Sequence, residues 1–146
     1  MSYHLYTTEG IVLQGLPLKE ADKYYYIFTK ELGLVVASAK SVRKLESKLR
    51  FGLEDYSLGE FSFIRGREFW KITGVREKEN IFRGYRESPE KRSLVVRVLN
   101  VAQKLVTGEE ENIELFNLLI DSFSFLKSFQ GGSEELRTFE YIVVLR

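Results

Sequence analysis

The sequence predicts a small five-stranded β barrel followed by a short antiparallel helical bundle, with the pattern changing near Asn80. Three observations carry that prediction. Short aromatic and β-branched segments separated by turns fill residues 1 to 80. Apolar residues recur at three- and four-residue spacing after Pro89. Between two β-like segments lies KSVRKLESKLR, Lys40 to Arg50, which is dense enough in charge to be a functional loop.

Residues 7 to 16 place Ile11 and Leu13 on one side of a strand and Val12 on the other, with Gly15 and Pro17 expected to break it. Tyr24 to Thr29 and Leu34 to Ala39 suit pleated surfaces and read as a hairpin about Gly33, which can take positive φ. Leu53 to Ile64 alternates without a purely apolar face, and Gly59 in it suggests a bulge. Arg65 to Arg67 make a second tight basic turn before the strand Phe69 to Val75. Five strands with short turns fit a closed or partly open barrel better than a flat sheet, whose edges stay exposed.

Residues 81 to 87 read as a helical turn or a linker. Ser88 before Pro89 is a helix start, because the hydroxyl accepts a free N–H and proline lacks an N–H that would need a partner. The first helix is expected over Pro89 to Thr107 with Gly108 ending it. Asn112 caps a second helix from Ile113 to about Phe129, and Ser133 caps a third from Glu134 to at least Leu145. The third pattern is still apolar at Arg146, so a natural end and a fragment both stay open. Two domains are expected, residues 1–80 and 81–146.

Composition closes off several chemistries. The chain of 146 residues has no cysteine and only His4 as histidine, so thiol catalysis, disulfides and thiolate zinc sites are absent and histidine-based catalysis is nearly so. The phosphate-loop, dinucleotide, zincin and nucleophile-elbow motifs are all missing. No enzyme activity, cofactor or metal is expected. No apolar run reaches the roughly 20 residues that span a bilayer, and the N-terminus lacks a secretory pattern. An intracellular, cytoplasmic protein is expected.

Charge points elsewhere. The chain is nearly balanced at a formal +1, yet Lys40, Arg43, Lys44, Lys48 and Arg50 face only Glu46 within their stretch. Local Lys and Arg density is what phosphate binding requires, since affinity comes from displacing condensed counterions. The alternative is a solvated hairpin tip. Arg65, Arg67 and Lys71 add charge at the second turn. Tyr24, Tyr25, Tyr26, Phe69 and Trp70 offer faces on which bases could stack, with at least half of them expected in the core. The candidate interface is therefore Lys40, Arg43, Lys44, Lys48, Arg50, Arg65, Arg67, Lys71 and Trp70, for single-stranded nucleic acid. Leu45 and Leu49 suggest a short helix packed on the barrel within the basic loop. On the helical half, Arg92, Arg97 and Lys104 could receive an acidic peptide instead. An adaptor with little DNA affinity, or an RNA-binding barrel, stays open beside the DNA reading.

The order of segments resembles the RecO family of bacterial recombination mediators. The matching stretches are TTEGIVLQ (Thr7 to Gln14), KEADKYYYIFTKELG (Lys19 to Gly33), VVASAKSVRK (Val35 to Lys44), LEDYSLGEF (Leu53 to Phe61) and ELRTFEYIVV (Glu135 to Val144). The resemblance implies an OB-fold followed by a helical domain, and a DNA repair and recombination role. It further implies binding of single- and double-stranded DNA, annealing of complementary strands, and RecA loading with RecR. The acidic tail of the single-stranded DNA-binding protein is the other implied partner. Lys40, Arg43 and Lys44 match the family's basic stretch. The Cys-bearing zinc module and later helices of many members have no counterpart in this sequence.

Overall fold

The computed structural model describes residues 4–18, 22–40, 49, 51–85, 87–106 and 108–145. Five strands, β1 (Tyr6–Pro17), β2 (Lys23–Thr29), β3 (Gly33–Ala39), β4 (Ser57–Ile64) and β5 (Trp70–Asn80), close into a barrel in the order β1-β2-β3-β5-β4. β1 is long enough to pair antiparallel with both β2 and β4, which joins the two halves of the sheet. The β3–β5 seam is parallel and short, joining only Ala37 to Trp70 and Ser38 to Lys71. This closure and order are those of an OB-fold.

Strand alternation sorts the side chains into two layers. Val12, Tyr25, Ile27, Val35, Ala37, Phe61, Phe63, Trp70 and Ile72 fill the barrel interior. Ile11, Leu13, Phe28 and Leu58 point outward and are buried all the same, because the helices cover them. Phe28 meets Phe116 edge-on with ring centroids 5.7 Å apart. Burying each such side chain contributes about 1.5–3 kcal/mol, so the helices stabilise the barrel as they bury its outer face.

Several boundaries differ from the sequence expectation. β1 continues through Gly15 to Pro17, still paired with β2 after a register shift between Val12 and Gln14. β4 begins at Ser57 rather than Leu53; Phe51–Leu53 form one turn of 3-10 helix that buries Leu53 against the barrel interior. A register shift falls beside Gly59 as expected, but the extra residue is Lys78 on β5, and a second shift between Ser62 and Phe63 leaves Thr73 of β5 unmatched. β5 runs to Asn80, well past Val75, because its backbone pairs with β4 as far as Asn80 opposite Ser57, while on the surface Arg76 reaches Glu60 at 3.6 Å and Lys78 reaches Glu9 at 3.2 Å. Charged residues on a paired strand look like a loop when only hydropathy is read.

The hairpin turn needs Gly33, whose φ is +69°. Thr29 secures it, its hydroxyl donating to the Gly33 carbonyl at 2.7 Å and accepting from Leu32 N–H at 2.9 Å.

After β5 the chain makes a 3-10 turn (Arg83–Tyr85) and then three helices, α1 (Pro89–Leu105), α2 (Ile113–Ser128) and α3 (Ser133–Leu145). Ser88 and Asn112 cap α1 and α2 as expected, accepting from Lys91 N–H at 3.3 Å and Leu115 N–H at 3.0 Å. α1 ends two residues before Thr107, with Val106 extended at its cap. Gly108, at φ +66°, belongs instead to the α1–α2 turn. Ser133 is the first residue of α3 rather than its cap, since the Gly132 carbonyl already accepts Leu136 N–H at 3.1 Å.

Two side chains hold the barrel to the helices. The Asn80 amide donates to the Asp55 carbonyl at 3.1 Å while its oxygen accepts Arg83 N–H at 3.0 Å, which sets the exit from β5. Tyr85 donates its hydroxyl to the Phe123 carbonyl, and burial pushes its phenol well above the usual range. Among the described residues, no helix is long and apolar enough to cross a membrane.

Candidate nucleic-acid interface

On the outer surface of β2 and β3, Phe28 is buried in the core shared with the helices, and Tyr26 and Leu34 pack against that core while staying partly exposed. Further along, Tyr24 and Tyr26 on β2 and Val36 and Ser38 on β3 are half-exposed. Tyr24 pairs with Ser38, and Ser38 pairs with Lys71 across the β3–β5 seam. The register therefore lays aromatic, hydroxyl and ammonium groups side by side. The loop from Arg65 to Phe69 adds Phe69, whose ring stacks on Tyr24 at 5.4 Å and 12° from parallel. Tyr24 in turn meets Tyr26 edge-on at 6.0 Å. The three rings make a continuous half-exposed aromatic run.

Cations border the run. Lys40, Arg67 and Lys71 are exposed and form no ion pair with any described residue, whereas Lys23 lies on the other face of β2, 5.5 Å over the inward Tyr25 ring. Gly66 makes the loop this tight: a methyl group there would sit 2.2 Å from the Phe69 carbonyl oxygen and also press on Lys71. Glu68 is the acidic exception within the loop. Arg43, Lys44, Lys48 and Arg50 lie outside the described residues, as does the helix expected about Leu45. Leu49 is half-buried and packs against the barrel interior.

Two expected interface residues are placed differently. Trp70 is 5% exposed and fills the barrel, edge-on to Tyr6 at 5.1 Å and to Phe63 at 6.2 Å, so it presents no open face for a base. Its position alternates inward on β5, whereas Phe69 sits one residue earlier on the loop. Tyr25 likewise points inward at 2% exposure, and burial, aided by the nearby Asp55 charge, pushes its phenol up to about 12. Arg65 is no free cation: its guanidinium lies 4.5 Å over the Trp70 ring and meets the Glu109 carboxylate at 2.9 Å. The other Glu109 oxygen accepts the Trp70 indole N–H at 2.6 Å.

Glu109 was not legible as part of this region. It stands 44 residues from Arg65 and 39 from Trp70, in the acidic run Glu109 to Glu111 between α1 and α2. The α1–α2 turn reaches the barrel because the β3–β5 seam is short, and Gly108 accepts Leu34 N–H at 2.9 Å from the stretch of β3 that β5 leaves unpaired.

On the helical half, Arg97 does not stand free for a partner. It makes a bidentate pair with Glu140 at 2.8 and 2.9 Å, tying α1 to α3. Arg92 sits 5.5 Å over the exposed Phe82 ring, and Lys104 is exposed in the last turn of α1. A shallow groove of about 550 Å³ joins Phe82, Pro89, Arg92, Ser93, Val96 and Arg97, with Lys104 outside it.

Closure, strand order and the flanking helices define an OB-barrel protein with a helical domain packed on one side of the barrel. Residues 1–81 match the family model described as the N-terminal part of recombination protein O. Among curated proteins the chain is 32% identical to the DNA repair protein RecO of Alkaliphilus metalliredigens over 93% of its own length and 55% of that protein. It is 33% identical to the RecO of Rubrobacter xylanophilus over 88% of the chain and 51% of that protein. For the RecO of Dehalococcoides mccartyi the identity is 30%, over 97% and 54%. The chain belongs to the RecO family, as its segment order suggested, and spans about half the length of these curated relatives.

Proposed function

We propose that this chain acts in DNA repair as a non-enzymatic mediator that captures single-stranded DNA on the β2–β3 face and promotes annealing of complementary strands. The observation that carries the reading is the half-exposed run Tyr26–Tyr24–Phe69 beside Arg67, Lys71 and Lys40. Stacked bases contribute about 1–3 kcal/mol each without selecting sequence, and the cations hold the phosphates that follow. Annealing then rests on charge screening: cations on the barrel reduce the repulsion between two backbones while the strands sample register. Names of the relatives support the repair role. Binding to duplex DNA, action with a RecR-like protein, RecA loading and contact with the acidic tail of the single-stranded DNA-binding protein belong to this proposal as family properties. The test is an oligonucleotide titration across salt with an annealing assay on the same sample. Absence of single-strand affinity at low salt would overturn it.

A second reading, a protein-interaction adaptor, draws on the groove about Phe82 and Arg92, which combines apolar lining with the Arg92 guanidinium, the Arg97 one being engaged by Glu140. Titration with an acidic peptide ending in an apolar residue separates the two readings. Saturable peptide binding lost in Arg92→Glu, without DNA affinity, favours the adaptor.

A further inference from the structure

The Glu109 carboxylate is held by two donors from the barrel, the Arg65 guanidinium at 2.9 Å and the Trp70 indole N–H at 2.6 Å. Two N–H groups converging on the two oxygens of one anion, with the same Arg65 guanidinium lying over the indole at 4.5 Å, form a receptor for a singly charged oxyanion. A phosphodiester presents the same pair of oxygens and the same charge. The receptor is at the base of the loop that carries Phe69 and Arg67, since Arg65 and Trp70 flank that loop.

We propose that Arg65 and Trp70 Nε1 form a phosphate-binding subsite that Glu109 occupies in the free protein, making the α1–α2 turn a built-in competitor of nucleic acid. The inference rests on the proposed single-strand reading and adds the regulation of that face. Two features make the exchange feasible. The Arg65 and Glu109 side chains are 65% and 44% exposed, and an ion pair so solvated is weakly held. The turn has its own anchor in the Gly108–Leu34 hydrogen bond, so the Glu109 side chain can swing to solvent without undocking the helices. Glu110 and Glu111, both exposed beside it, extend the repulsion toward an approaching strand.

The experiment compares wild type, Glu109→Gln and Glu109→Gln/Arg65→Gln in oligothymidylate titrations across salt. Thermal unfolding controls for the fold. With Glu109 uncharged, affinity at low salt is expected to rise roughly three- to tenfold, and the slope of log affinity against log salt to steepen by about 0.7, one added phosphate contact. The double variant loses both gains. Trp70, the only tryptophan, reports independently: oligonucleotide should change its fluorescence in wild type as the indole N–H changes partner. Equal or weaker binding by a folded Glu109→Gln protein overturns the inference. If wild type binds in a Lys71-dependent way while Glu109→Gln leaves affinity and slope unchanged, the competitor idea fails alone. If no variant binds, the single-strand reading fails with it.

Discussion

The Tyr24 and Phe69 rings lie 5.4 Å apart and 12° from parallel, one on the second strand and the other on the loop before the fifth. This stack joins the strand face to the loop and leaves both rings half-exposed, so a base can extend an aromatic column that already exists. Neighbouring Trp70, which looks the better platform by residue type, is enclosed in the barrel.

Replacing Phe69 by Ala should weaken single-strand binding by about 1–3 kcal/mol, the loss of one stacked base. Thermal unfolding should move little, since the ring sits on a surface loop. Trp70→Phe should show the reverse pattern, with lower stability from the lost indole contacts. Fluorescence anisotropy paired with unfolding curves reads both effects, and a Phe69→Ala protein with wild-type affinity removes the aromatic run from the mechanism.

Lys71 and Arg67 form no ion pair with any described residue, so each is available to a phosphate. The single variants Lys71→Gln and Arg67→Gln should each flatten the slope of log affinity against log salt by about 0.7 for single strands. The weakening should be the same for every base sequence tested. A sequence-dependent loss would mean that these side chains read bases instead.

Gly33→Ala should destabilise the protein by about 1–3 kcal/mol. Residue 33 is at φ +69°, and the added methyl group would meet the Glu110 carbonyl oxygen at 2.5 Å. The turn between β2 and β3 and the α1–α2 turn are thus packed too closely for a methyl group, and a lowered denaturant midpoint checks it. Unchanged stability would show that the two turns can move apart freely.

Glu140 carries a small pH dependence. The hydrogen bond from Arg97 holds its carboxyl below the ordinary glutamate range, with the Arg97 charge adding and partial burial opposing. A carboxyl depressed by folding stabilises the native state at pH values above its unfolded pKa. That stabilisation fades as pH falls through the folded value. Arg97 is 53% exposed, so the pair is worth about 0.5–1 kcal/mol at neutral pH. Glu140→Gln should lower stability at pH 7 by about that amount and shrink the acid-side slope, measured by urea unfolding at several pH values.

Much of the barrel was legible because local chemistry carried it. Gly33 at the hairpin and Ser88 and Asn112 at the helix starts each act on residues within a few positions along the chain. The charged half of β5 was not legible, because residues such as Arg76 and Glu79 are strand residues through backbone pairing with β4 rather than through their own propensity. Trp70 failed for a related reason: which side of a strand faces the interior depends on where the loop ends, and a one-residue shift exchanges Phe69 for Trp70.

By itself, the sequence determined the five-strand-then-helix order, the two helix caps, the family and the concentration of cations near residues 40 and 65–71. Periodicity, capping and charge density are local quantities that survive without coordinates. Only the tertiary structure decided which rings stay half-exposed, that Arg65 is already engaged, and that an acidic turn about forty residues downstream rests on the candidate interface. Those facts follow from barrel closure. The short β3–β5 seam leaves part of β3 unpaired, the Leu34 N–H needs an acceptor, and the α1–α2 turn supplies it through Gly108, bringing Glu109 along.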